Sequence, residues 1–573
     1  MKHVRYLLLA LVVLANNFGV RAYTHQDTLR GSNGRGRSWW DVQKYDLSFK
    51  IDTQNHTING TVQITFRVIA TPTDSMQIDL QEGMELRYPS GYEDLHITPI
   101  KREGNVCWII RPFRNYEVGT NQKIQFQFSG KPKNAINPPW DGGFIWKKDP
   151  EGHPWIAVAC QGVGASSWWP CKDYQGDEPD SGITFNLSGP QNLRVISNGQ
   201  PDQYDTTYIE DPVTGKLTVE IRNVDTSTFN GTMWRVKNPI NSYDLTFYLG
   251  NYSHWHDTMH GESGVLDLDF YPLKVNTNKA FRQWKETKNL LRCYEYWLGP
   301  YPFYQDGYKL VEAPYLGMEH QSAIAYGNHY QMGYLGSDRS GTGVGLSFDY
   351  ILIHESAHEW FGNSITARDI ADNWIHEGIT TYMESLYAEW TQGKAAGERF
   401  CMGEWNNIQN DRPVIGHYGV NEEGSNDMYD KCAAIMFMVR AMIGNDSVFR
   451  QLLRGLNKDF YHKITDTKEV EAYIARYTGK DLTAFFDQYL RHSSKPELDW
   501  SLSQDHRSIE FHWLNAVAGF NAPVAISVDG GKNYYSYNVA PAEIKAQKKK
   551  FRRKKVLVRA RGYYDIVTPL NAR

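Results

Sequence analysis

Residues 352–363 read LIHESAHEWFGN. His354 and His358 stand four apart with Glu355 between them, and apolar residues flank the group. On a helix, positions i and i+4 share a face, so both imidazoles aim at one point. Glu355 is turned about 100° around the axis and addresses a neighbouring point. Hydrolytic zinc takes three protein ligands and leaves a fourth position for water. The third ligand is offered by NWIHEGITTYMESL (373–386), where Glu377 follows His358 by nineteen residues on a second amphipathic segment. The plain alternative is a core helix with incidental histidines, and it does not account for a carboxylate at this offset. The expectation is one Zn2+ per chain, held by His354, His358 and Glu377. Such an ion acidifies water to a pKa of about 7. Glu355 then takes the proton and passes it to a departing amine, so hydrolysis of an amide is the natural chemistry.

On either side of this helical stretch the texture changes. From Tyr45 the chain alternates, with Leu47, Phe49 and Ile51, then Val62, Ile64, Phe66 and Val68. That two-residue period predicts a hairpin, with its turn at Asn59-Gly60. Similar runs recur at Ile124, Phe126 and Phe128 and onward to about residue 250. From Phe281 helical spacing takes over. The clearest helices are expected at residues 348–362, capped by Ser347 and ended by Gly362-Asn363, and at 371–390 and 431–443. After Pro496 short strands return, and VAISVDGGKNYYSYNV reads as a hairpin around Asp529-Gly530-Gly531. The expected architecture is therefore multidomain α+β. Residues 1–22 are an export signal and 23–255 an N-terminal β-domain. Residues 256–495 are a helix-rich zinc catalytic domain and 496–573 a small C-terminal β-sandwich.

Upstream of the histidines lies EAPYLGMEHQS (312–322). This stretch resembles the exopeptidase signature of the aminopeptidase N family of gluzincin zinc metallopeptidases, usually G-x-M-E-N. The resemblance continues through most of the chain and implies that the catalytic domain at 256–495 is thermolysin-like. HESAHEWFGN is similar to the family's HExxHxWFGN, and DNWIHEGITTYMESL to W-L-N-E-G-F-A-x-Y-x-E. NDMYDKCAAIMFMV resembles Y-E-K-G-A, and ACQGVGASSWWPCKD the β-domain segment ending in P-C-x-D. The resemblance implies that Glu319, with Gly317 and Met318 in the same signature, holds the α-ammonium of a peptide. A carboxylate in a partly desolvated cleft attracts that group and penalises a neutral internal peptide. It also implies that Tyr429 stabilises the oxyanion and that Gln161 lines the pocket for the amine and first side chain. Two positions depart from the pattern: Leu316 stands for the first glycine and His320 for the asparagine. The chain also ends soon after the small β-sandwich, where larger members carry a long helical domain.

The 573 residues are 41% hydrophobic and 22% charged, with a net charge of -4. That balance fits a globular chain with sizeable cores and gives no sign of a nucleic-acid partner. Lys2 and Arg5 precede an apolar run from Tyr6 to Ala15, and Val20 and Ala22 follow at small-residue cleavage positions. The run is about ten residues, half of what a bilayer span needs. It is read as a leader cut after Ala22, which makes the protein periplasmic or secreted, with no transmembrane segment. Six cysteines are too few for a disulfide scaffold, although Cys160 and Cys171 could pair in an oxidising compartment. KAQKKKFRRKK (545–555) reads as a solvated strand, or as a weak contact with an anionic envelope surface. The activity expected is removal of the first residue from peptides with a free amino terminus. The competing readings are a zinc endopeptidase and a non-catalytic peptide- or glycan-binding protein with a structural zinc.

Overall fold

The computed structural model describes residues 23–89, 100–110, 113–190, 192–201, 207–208, 220–221, 232–504, 508–527, 535–538, 547–550 and 559–561. The expected leader (1–22), the Asp529-Gly530-Gly531 turn and most of the basic run lie outside them.

The long hairpin forms, with strands Trp40–Asp52 and Thr57–Val68 paired antiparallel. Its turn is not at Asn59-Gly60, however. Asn59 pairs with Lys50 and Gly60 with Phe49, inside the second strand. The reversal falls at residues 53–56, where the Asp52 carboxylate accepts the backbone N–H of Gln54 and Asn55 at 2.9 and 3.0 Å. His56 there takes a positive φ of 53°. Gly60 serves packing instead: a Cβ would run into the Ser48 carbonyl, Phe49 and the Phe128 ring.

The hairpin is the middle of a seven-stranded sheet that also carries Asn121–Gly130 and Ile183–Ser188. A four-stranded sheet faces the same core, with Gly143–Lys148, Pro154–Ala159, Arg194–Ser197 and Phe247–Gly250. Alternating burial along Trp40–Asp52 turns Tyr45, Leu47 and Phe49 inward. Phe49, Phe144, Trp168, Phe185 and Phe247 pack there with ring centroids 5.3–6.3 Å apart. Edge-to-face contact at such distances adds to simple burial. Cys160 and Cys171 are buried free thiols in this region and are not bridged.

The first strand of a new five-stranded sheet begins at Trp255. Its strands are Trp255–Gly261, Gly264–Tyr271, Tyr308–Glu312, Ile324–Tyr326 and, at the edge, Gly317–Met318. Helices Thr287–Leu298, Tyr350–Ala357, Trp374–Gln392, Asp430–Ile443 and Asp446–Asp459 pack beside it around one core. Beyond them, two three-stranded sheets form the C-terminal unit. In one of these, Pro523–Ser527 pairs with Tyr535–Asn538 as the hairpin reading expects.

Candidate active site

The helix bearing the first histidine spans Tyr350–Ala357, shorter than the 348–362 expected. Its cap is Asp349, not Ser347: the Asp349 side chain accepts the Leu352 N–H. A side-chain oxygen there satisfies an N–H that the first turn leaves free. Every residue of this helix is buried, so its composition is apolar all round apart from the chemical groups. His358 terminates it in helical conformation. The chain then widens, with Asn363, Ser364 and Ile365 donating backwards to the carbonyls of His358, Glu359 and Trp360. Gly362, at φ 123°, makes that reversal possible.

His354 Nε2 and His358 Nε2 come within 3.2 Å of each other. Glu377, in the first turn of the Trp374–Gln392 helix, brings Oε2 to 3.5 Å from the first and 3.3 Å from the second. The other ring nitrogens are engaged. His354 Nδ1 donates to Glu384 Oε1 at 2.7 Å, and His358 Nδ1 to the Phe361 carbonyl at 2.9 Å. These bonds assign each Nδ1 the proton and leave both Nε2 lone pairs facing inward. Glu377 Oε2 is buried and accepts no hydrogen bond. Three lone-pair donors converge on a point with no proton to share among them. The arrangement fits a tetrahedral divalent cation with one position left over, and His/His/Glu is a zinc donor set.

Glu355 faces the same cleft from beside the histidines. Burial pushes its carboxyl up to about 8, while His354 and His358 pull it down. Gly317 lies directly against it: an added Cβ would stand 2.5 Å from Glu355 Oε1 and 2.7 Å from Ile351. The edge strand Gly317–Met318 therefore runs past Glu355 at a distance only glycine permits. Glu319 follows at its end, 2% exposed. Its Oε1 accepts the Tyr243 hydroxyl at 3.2 Å, and Asn363 Nδ2 holds its carbonyl at 2.7 Å. Burial raises its pKa, and His358 counteracts the rise. His320, at the family's asparagine position, is fully buried and held by Tyr248 at 3.0 Å. Burial lowers its pKa to about 3, so the ring is neutral. Leu316 lines the cleft and packs against the core.

Tyr429 precedes the Asp430–Ile443 helix with its ring 6.1 Å from that of His354. Burial keeps its hydroxyl protonated, and the Glu377 carboxylate acts in the same direction. Gln161 comes from the β-domain and donates to Glu377 Oε1 at 2.8 Å. The structure thus brings Gln161, Gly317, Met318, Glu319, His354, Glu355, His358, Glu377 and Tyr429 to one cleft. The sequence reading did not anticipate Glu384, Tyr243, Asn363 or Glu423. Each acts through a contact made by folding. Only Glu384 carried a signal, seven residues after Glu377 and so on nearly the same helix face.

Comparison with known proteins bears on this geometry. The profile of the peptidase family M1 domain matches residues 283–489. Leukotriene A-4 hydrolase of Xenopus laevis is 23% identical over 472 residues, covering 76% of this chain and 68% of the relative. Aminopeptidase N of Lactobacillus helveticus is 22% identical over 480 residues, covering 77% and 49%. The probable aminopeptidase 1 of Sulfurisphaera tokodaii is 25% identical over 442 residues, covering 72% and 50%. The chain thus spans about half the length of these two aminopeptidases. An M1 zinc metallopeptidase variant from Deinococcus radiodurans, solved with a Tyr-Ser-Ala substrate, superposes with a TM-score of 0.61 at 19% identity. That match covers 81% of this chain and 98% of the other. With this domain over residues 283–489 and this His/His/Glu centre, the chain resembles the gluzincin zinc metallopeptidases of peptidase family M1.

Proposed function

We propose that the chain is a zinc aminopeptidase that removes the first residue from peptides with a free amino terminus. The observation that carries this reading is Glu319: a buried carboxylate in the metal cleft, one residue past the edge strand that approaches Glu355. A neutral internal peptide group gains nothing there, whereas an α-ammonium neutralises the acid. When bound, zinc supplies a Lewis acid that polarises the scissile carbonyl and acidifies water.

The chain's own residues supply the rest. Glu319 anchors the amine and so fixes which peptide bond lies over Glu355. The Gly317–Met318 edge lets the substrate backbone pass beside the base. Glu355 accepts the proton of the attacking water and delivers it to the departing nitrogen. Tyr429, kept protonated by burial, donates its hydroxyl to the oxygen that becomes negative, a contribution of about 2.7–4 kcal/mol in comparable sites. Gln161 orients Glu377 from the β-domain side.

The test is a set of peptides with free and with acetylated amino termini, assayed with and without chelator. Acetylation is expected to abolish turnover nearly completely, because it removes the cation Glu319 requires. Equal rates on the two sets would establish an endopeptidase instead. Glu355→Gln is expected to retain zinc and lose hydrolysis; unchanged hydrolysis in that variant would remove Glu355 from the mechanism. Export is part of the same proposal, supported by the basic start and apolar run of residues 1–22. Among the described residues no helix is long and apolar enough to cross a membrane.

A further inference from the structure

One acid of the cleft has neither a task in the mechanism nor a set of partners that satisfies its charge. Six carboxylates line the cavity, and the Arg339 guanidinium is the one permanently charged cation among its described lining residues. Glu377 faces the two imidazoles, Glu355 serves as base, and Glu319 awaits the amine. Asp427 is satisfied by the backbone N–H groups of Gln409 and Asn410 at 2.8 and 2.7 Å. Asp430 is paired with Arg339 at 2.9 Å. Glu423 remains. Its Oε1 accepts the Asn373 side-chain amide at 3.2 Å, and among the described residues no cation lies within ion-pair distance of it. The nearby Arg412 is turned to Glu422, Asp411 and the Gly424 carbonyl.

Glu423 stands on the Gln161 wall, next to the amine anchor. A Cβ on Gly162 would lie 3.9 Å from its Oε1, within ordinary contact. Burial pushes its carboxyl up to about 7, with Glu377 and Glu319 adding to the effect. An acid in that position is uncompensated, and a ligand cation would relieve it. The α-ammonium is already taken by Glu319. The cation within reach of Glu423 is therefore one carried on the first side chain.

Building on the aminopeptidase reading, we propose that Glu423 selects the first side chain, so that the preferred substrates begin with arginine or lysine. A half-buried carboxylate discriminates by attraction to the guanidinium or ammonium. It also discriminates by the cost of leaving itself unpaired against an apolar side chain.

The proposal is tested by kcat/KM for arginyl-, lysyl- and methionyl-arylamides with wild-type protein and Glu423→Gln. Wild type is expected to prefer arginine over methionine by about tenfold or more, chiefly through KM. Glu423→Gln is expected to reduce that ratio to within about threefold of unity. A wild-type ratio near one overturns the proposal, and so does an equal fall for all three substrates in the variant, which would show Glu423 sharing the α-ammonium with Glu319. A second arm needs no turnover: calorimetric binding of L-argininamide and L-methioninamide to zinc-loaded Glu355→Gln protein. Argininamide is expected to bind about tenfold tighter, and equal affinities overturn the assignment. Absence of all arylamide hydrolysis strikes the aminopeptidase reading alone, since the binding arm still decides the role of Glu423.

Discussion

Gly317 shows how much of this site is decided by single atoms. Its missing Cβ is what lets the edge strand lie against Glu355, and Gly317→Ala would place a methyl 2.5 Å from Oε1. The expected result is bound zinc with kcat reduced at least tenfold, measured by metal content and turnover on the same preparation. An unchanged kcat would show that the strand or Glu355 relaxes at no cost. Glu384 is the complementary case. It donates nothing to substrate, but its hydrogen bond to His354 Nδ1 fixes the tautomer that leaves Nε2 free. Loss of such an outer partner commonly weakens metal affinity by about 10–100-fold. Glu384→Gln is accordingly expected to release zinc to a competing chelator at lower chelator concentration. Titration curves that superpose on wild type would reduce Glu384 to a packing role.

Among the elements, the short helix His25–Gly31 is the least expected contributor. Thr24 and Asp27 form a capping box at its start. Its far end ties together two loops that carry cleft residues. Arg30 donates to the Gly162 carbonyl and pairs with Asp173 at 3.3 and 3.4 Å, next to Gln161. On the other side Asn421 N–H donates to the Asp27 carbonyl at 3.0 Å, and Tyr23 is bonded to His417, on the loop leading to Glu423. Gly31 touches the Val420–Asn421 backbone so closely that any side chain would collide with it. Gly31→Val is therefore expected to displace that loop and raise KM several-fold, with kcat less affected. Steady-state kinetics on a folded, zinc-replete variant decides the point, and identical KM would show that the helix straps nothing that matters to binding.

Across the whole molecule, the domains meet through buried acids. Glu178, on the β-domain, faces Thr366 of the catalytic domain and Asn241. Burial raises its carboxyl from the usual 4.5 to about 7, against the pull of those two hydrogen bonds. The sign follows from linkage. Between those values the native state binds the proton that the unfolded state has released, so stability falls as pH rises from about 4.5 to 7. Glu178→Gln is expected to flatten the melting temperature across that interval and to raise stability at pH 8, on the order of 3 kcal/mol. An identical pH profile in the variant would show that Glu178 is ionised at no cost. Removing zinc should act on the same scale, because a ligand bound by the native state alone stabilises it by mass action. Dialysis against chelator is expected to lower the melting temperature, and re-addition of zinc to restore it.

Periodicity and spacing were enough to read a β-rich beginning, a helical middle and a β-rich end. They were also enough to read His354, Glu355, His358 and Glu377, because helical repeat is a local property of the chain. The resemblance carried by Glu319 and Tyr429 reached two more positions. The turn at Asn59-Gly60 was misread because glycine signals a reversal and a close approach with the same letter, and only the Phe128 ring across the sheet separates the two. Glu384, Tyr243, Asn363 and Glu423 were silent for a related reason. A carboxylate or hydroxyl acquires its role from what is packed against it, and those neighbours come from segments far apart in the chain. The chain alone therefore marked the candidate metal donors and the candidate base. Folding decided which groups orient them, how closely the edge strand passes, and which acid is left without a counter-charge, since burial and pairing exist only once distant segments meet.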